Sequence, residues 1–126
     1  MRKLITVILL GLSMSLPITA LADGHSTLRV VQVQSDDVGA YIAQLGKGKK
    51  LISAVDSKFT LRAMQATFAG EAAGGVIVVV EYPGSFGEFA MAWDKLMADP
   101  AVGAWLGGLS GLRRIASDSL YSEFPL

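Results

Sequence analysis

The sequence predicts an α+β domain with elements in the order β-α-β-β-α-β, a four-stranded antiparallel sheet carrying two helices on one face. Three observations lead there. The run Val76 to Val80 has no polar alternation, as expected of a strand in the middle of a sheet. Only Gly70-Glu71-Ala72-Ala73-Gly74 separates it from the strand before, which suits a hairpin and is too short for the crossover between parallel strands. Two stretches with apolar residues at helical spacing lie on either side of that hairpin. The pattern is that of the ferredoxin-like topology, in which the first and third strands are central, and a doubly wound parallel sheet fails on the short connection.

Each element has its own local cause. Asp23 to Thr27 is polar and predicts a frayed start. Leu28 to Gln34 is β-branched and roughly alternating, hence a strand. Ser35, Asp36 and Asp37 offer capping oxygens to a helix whose stripe is Val38, Tyr41, Ile42, Leu45 and Ile52. Gly39, Gly46 and Gly48 weaken that helix by about 1 kcal/mol each relative to alanine, so packing must hold it. Thr60 to Ala69 and Gly75 to Tyr82 are the hairpin strands, stopped by Pro83-Gly84. Ser85 and Glu88 have capping-box spacing for a helix with Phe86, Phe89, Trp93, Leu96 and Met97 as its stripe. Asp99-Pro100 breaks it and starts a fresh helical turn, with Val102, Trp105 and Leu106 inward and Gly107-Gly108 as its end. Leu112 to Glu123 is the last strand.

Ahead of these elements, residues 1–22 have the layout of a secretory signal. Arg2 and Lys3 precede the apolar stretch Leu4 to Leu16, Pro17 ends it, and Ala20-Leu21-Ala22 gives a small-x-small cleavage pattern before Asp23. The stretch falls short of the roughly 20 residues of a membrane span, so cleavage is expected rather than a retained anchor. The expectation is a single domain over 23–126, periplasmic or secreted, without stable membrane insertion once the leader is removed.

Composition narrows the chemistry. The chain has 126 residues, 52% of them hydrophobic and 17% charged, which suits a folded core rather than disorder. It has no cysteine, which excludes disulfides, thiol catalysis and Cys-ligated metal. One histidine, His25, excludes multi-His sites, and a net charge of zero gives no electrostatic footprint for nucleic acid. No metal and no cofactor is expected.

One layer of helices covers one face of a sheet. Leu61, Ala63, Gln65 and Thr67 alternate with Arg62, Met64, Ala66 and Phe68, and both sets carry apolar or bulky residues. A homodimer joined through the second face is the natural remedy. Here the chain resembles the dimeric α/β-barrel superfamily, in a small exported and largely uncharacterised branch. The resemblance rests on Leu61-Arg62-Ala63-Met64-Gln65-Ala66-Thr67-Phe68-Ala69-Gly70 and Val78-Val79-Val80-Glu81-Tyr82-Pro83. It continues in Lys95-Leu96-Met97-Ala98-Asp99-Pro100 with Trp105, and in Ser117-Asp118-Ser119-Leu120-Tyr121-Ser122-Glu123. It covers about Val30 to Glu123 and implies ferredoxin-like subunits whose sheets face each other across a two-fold axis. It implies little about function, because the group hosts many chemistries. Haem-degrading members hold iron through a helix histidine, which neither helix has here.

Candidate functional residues are few. His25 reads as an exposed terminal histidine, and Lys47, Lys49 and Lys50 as a solvated end of the first helix complementing its dipole. Gly74-Gly75 and Gly107-Gly108 lack phosphate-loop spacing and read as turns. Ser117, Asp118 and Ser119 read as hydrogen-bonding groups on a strand, with no base to activate a serine. Hairpin pairing places Arg62 beside Glu81 and Tyr82, either as a structural ion pair or as a pair orienting a ligand at the mouth of a pocket. Tyr41, Trp93 and Trp105 are candidate aromatic walls of that pocket, with core packing as the blander role.

The function expected is a dimeric module binding a small apolar or aromatic ligand, or a protein partner, with no catalytic machinery evident. The alternative is a cofactor-independent monooxygenase-like or isomerase-like enzyme using Glu81, Asp94, Asp118 or a tyrosine for proton transfer. A purely structural envelope protein, a closed barrel without a ligand-sized cavity, is a third reading.

Overall fold

The computed structural model describes residues 25–67, 70 and 73–126. The leader, and the part of the hairpin read at Phe68, Ala69, Glu71 and Ala72, lie outside them. The elements are β1 (Ser26–Gln34), α1 (Val38–Val55), β2 (Thr60–Gln65), β3 (Val76–Pro83), α2 (Phe86–Ala98), α3 (Pro100–Leu109) and β4 (Arg114–Ser122). The sheet is antiparallel with order β2-β3-β1-β4, so the first and third strands are central as expected. The order is β-α-β-β-α-α-β, a ferredoxin-like fold with three helices. The fresh turn read at Asp99-Pro100 is a complete helix, continuing past Gly107-Gly108 to Leu109.

The helix starts follow from their caps. Asp37 accepts a hydrogen bond from Ala40 N at 3.0 Å, and Ser85 accepts one from Glu88 N at 3.2 Å. Asp99 ends α2 and opens α3, its carboxylate accepting from Ala101 N and Val102 N at 3.0 Å each, with Pro100 in the first helical turn. One residue therefore sets the corner between two helices.

The core lies between the helices and one face of the sheet. Val31, Val33, Leu61, Val76, Val78, Val80 and Tyr82 point into it from the strands, and Tyr41, Leu45, Ile52, Phe89, Leu96 and Val102 from the helices. Two members of the stripe read on α1 do not belong to it: Val38 and Ile42 are 43% and 42% exposed. The lysine run is also displaced from its expected place. Because α1 continues to Val55, Lys47, Lys49 and Lys50 lie in mid-helix, exposed, and the last turn carries no base. The frayed start is corrected as well. β1 begins at Ser26, Thr27 is buried with its hydroxyl donating to Gly84 O at 3.0 Å, and His25 is half-buried with Nδ1 2.8 Å from Glu123 O.

β4 pairs Ser117 with Gln32 but Ile115 with Val33, so Ala116 is an extra residue in a β-bulge. The side-chain period of a strand is two, and one inserted residue reverses which face the preceding residues take. Ile115 thereby faces the helices, on the same side as Asp118, which pairs with Val31.

Candidate ligand-binding cavity

Between the helices and the sheet is a cavity of about 410 Å³. Its walls are mostly aliphatic and aromatic, among them Val31, Leu61 and Val80 from the sheet, Trp93 from α2, and Trp105 and Leu106 from α3. Two guanidinium groups interrupt the apolar lining, those of Arg29 and Arg113.

Glycine in α1 shapes one wall. A Cβ at Gly48 would overlap the Trp105 ring, lying 2.5 Å from Cη2 and closer still to Cζ2 and Cε2. Only a bare backbone lets the indole lie across α1. The ring is fixed there by its own donor, with Nε1 giving a hydrogen bond to Gln44 O at 2.7 Å. The glycine that costs α1 helical propensity is what seats the cavity wall.

The polar side is organised by Asp118. Arg29 Nε donates to Asp118 Oδ1 at 2.9 Å and Arg29 Nη2 to Oδ2 at 2.5 Å, a two-pronged pair across neighbouring strands. That hydrogen bond holds the Asp118 carboxyl below the usual carboxylate range and Arg29 above its own ordinary value. Arg29 also lies over the Trp93 ring, its Cζ 4.8 Å from the centroid, while Phe89 stacks on Trp93 at 5.7 Å. Farther along, Phe59 touches Tyr82 with centroids 4.7 Å apart, and the Tyr82 hydroxyl donates to Asp56 Oδ2 at 3.2 Å. Burial, followed by the nearby Asp56 carboxylate, pushes the Tyr82 phenol up. Arg113 Nη1 donates to the Tyr41 hydroxyl at 3.3 Å.

The candidate residues thus separate into groups. Trp93 and Trp105 line the cavity. Tyr41 is a core residue, fully buried, that reaches the cavity only through its hydroxyl on Arg113. Arg62 and Glu81 do come together, with Arg62 Nη2 2.7 Å from Glu81 Oε1. Their expected place at a pocket mouth is corrected, however. Arg62 pairs across the hairpin with Val79, and Glu81 with Leu28, on the face turned away from the helices, and neither lines the cavity. Alternation decides this: Val80 and Leu61, their neighbours in sequence, are the residues that face inward. Sequence reading missed Arg29 and Arg113 as cavity residues. Arg29 was legible, being in phase with Val31 and Val33, whereas Ile115 reaches the inner side only because of the bulge, and Arg113 lies just ahead of β4 in the connection from α3.

The face without helices carries Leu28, Val30, Ile77, Val79, Met64 and Tyr121 around the Arg62–Glu81 pair. Met64 and Tyr121 are 50% and 55% exposed. Among the described residues no group of three His, Cys, Asp or Glu side chains is placed to hold a metal ion, and no helix is long and apolar enough to cross a membrane.

No family model and no curated protein matches the sequence. Solved structures do match, and they share the ferredoxin-like α+β fold described above. A NIPSNAP family protein from Agrobacterium tumefaciens is similar with a TM-score of 0.63 and 17% identity, over 81% of this chain and 85% of that one. A NIPSNAP domain protein from Burkholderia xenovorans gives 0.61 and 14%, over 81% and 94%. A protein from Bacteroides thetaiotaomicron, described as a proposed antibiotic biosynthesis monooxygenase, gives 0.55 and 16%, over 80% and 90%. At these identities the likeness is one of fold.

Proposed function

We propose that this domain is an exported module that holds a small, largely apolar molecule in the cavity between sheet and helices, and that it works as a homodimer joined through the open sheet faces. The observation that carries the binding reading is the cavity: its volume and apolar lining, with a few placed polar groups, are those of a small-molecule site. The dimer reading is supported by the apolar, half-exposed residues of the open face. Export to the periplasm or medium is supported by the leader pattern of residues 1–22.

The likeness in fold to the Bacteroides protein favours a second reading, a cofactor-independent monooxygenase-like or isomerase-like enzyme using the same cavity. Such an enzyme needs a proton-transfer group within reach of its substrate. Asp118 is beside the cavity residues, but Arg29 lowers its basicity, so binding is placed first.

The test uses N-phenyl-1-naphthylamine, a neutral apolar fluorophore. The chain has two tryptophans, Trp93 and Trp105, and both line the cavity, so energy transfer to the dye reports occupancy. Saturable transfer at one dye per chain is expected, and it should weaken sharply in Leu106→Asp, which puts a charge into the apolar lining. Absence of saturable transfer, or transfer indifferent to that variant, would overturn the reading.

A further inference from the structure

The charge inventory of the cavity gives its ligand a chemical class. Arg29 and Arg113 both line it. Among the described residues the ion pairs are Arg29–Asp118 and Arg62–Glu81, so Arg29 is paired in direct contact, whereas Arg113 has no carboxylate in direct contact and acts on Asp118 only through space. The one polar contact of the Arg113 side chain among the described residues is the donation from Nη1 to the Tyr41 hydroxyl, a neutral acceptor. Arg113 also lines a second depression, with Gln34, Asp36, Asp37 and Arg114. Asp36 and Asp37 are both exposed there, Asp37 capping α1, and neither is in ion-pair contact with Arg113. A half-buried guanidinium against an apolar wall, with no carboxylate in hydrogen-bond contact, has donors to spare for an anion.

The geometry points to a ligand with an apolar body and a single anionic carboxylate-like group, the body in the cavity and the anion on Arg113. Asp118 works as a positioning residue: its two-pronged pair with Arg29 occupies that guanidinium and leaves Arg113 as the cavity's guanidinium without a directly bonded carboxylate. The bulge at Ala116 belongs to the same device, since it turns the chain before it toward the helices.

This inference rests on the cavity being a binding site, and the experiment separates the two. With N-phenyl-1-naphthylamine bound, 4-phenylbutyrate and its neutral isostere 4-phenylbutyramide are compared as displacers. The acid should displace the dye at least tenfold more effectively than the amide. Arg113→Gln should erase that preference, acid and amide then displacing the bound dye equally well, and Arg113→Lys, which keeps the charge, should restore part of it. Equal displacement by acid and amide in the unsubstituted protein would overturn the anion assignment and leave the cavity reading standing. A preference undiminished in Arg113→Gln would overturn the role of Arg113. Failure of the dye itself to bind would remove both. The unsubstituted comparison decides the ligand class even if Arg113→Gln does not fold.

Discussion

Gly46 and Gly48 lie two residues apart in the same helix and differ in one respect that the structure makes quantitative. A Cβ at Gly46 meets nothing within 4 Å, whereas a Cβ at Gly48 would enter the Trp105 ring. Gly46→Ala should therefore show the bare gain of replacing glycine in a helix, about 0.5–1 kcal/mol. Gly48→Ala makes the same gain and opposes it with overpacking of about 1–3 kcal/mol. Moving the indole also breaks its bond to Gln44 O, for about 1 kcal/mol more. The net expectation is a loss of about 1–3 kcal/mol. At roughly 4–8 °C per kcal/mol for a domain of this size, the two melting temperatures should move in opposite directions and differ by about 10 °C or more. Differential scanning calorimetry of the two variants beside the unsubstituted protein measures this. A Gly48→Ala protein as stabilised as Gly46→Ala would mean that Trp105 does not lie against α1, and the cavity wall built from it would go too.

Other outcomes follow from the ion pairs and the open face. Asp118 has a folded pKa below its unfolded value, so its contribution to stability is full above the unfolded carboxylate range, near pH 4, and is lost as the pH falls through the lower folded value. Asp118→Asn should cost about 1 kcal/mol at pH 7, since both partners are partly solvated, and the cost should vanish in strong acid; urea melts across pH check both. Glu81→Gln should cost at most about 1 kcal/mol in a monomer, because Arg62 and Glu81 are 52% and 31% exposed there; a loss of several kcal/mol would mean that the pair is covered by another surface. Light scattering of 23–126 should report twice the monomer mass, and Met64→Lys should shift it toward the monomer; a sharp monomer of the unsubstituted domain at micromolar concentration would defeat the dimer reading. Intact-mass measurement of exported protein should find Asp23 first, and retention of Met1 would contradict the leader.

The fold was legible because its determinants are local. The unalternating valines of β3, the short hairpin and the capping residues Asp37, Ser85 and Asp99 each act within a few residues, and each does what its chemistry predicts. The site was legible only in part. Trp93 and Trp105 were readable from helical spacing. The helical stripe was drawn too wide at Val38 and Ile42, because spacing tells which residues share a face but not how far the neighbouring layer extends. Arg62 and Glu81 were rightly paired by hairpin register and wrongly assigned to the cavity, because pairing is the same whichever face the helices cover. Arg113 was out of reach altogether: it lies in the connection just ahead of β4, and that strand carries a bulge at Ala116 that leaves no mark in alternation until the partner strand is known.

The central claim is that the space between sheet and helices, with Arg113 beside it, is where a small apolar anion binds. Two-dimensional 1H–15N NMR of the 15N-labelled domain titrated with 4-phenylbutyrate tests it most directly. The indole Nε1–H signals of Trp93 and Trp105 and the amides of Arg113 and Ile115 should shift together and saturate at one ligand per chain. Shifts confined to Leu28, Met64, Ile77 and Tyr121 on the open face, with both indole signals unmoved, would contradict it.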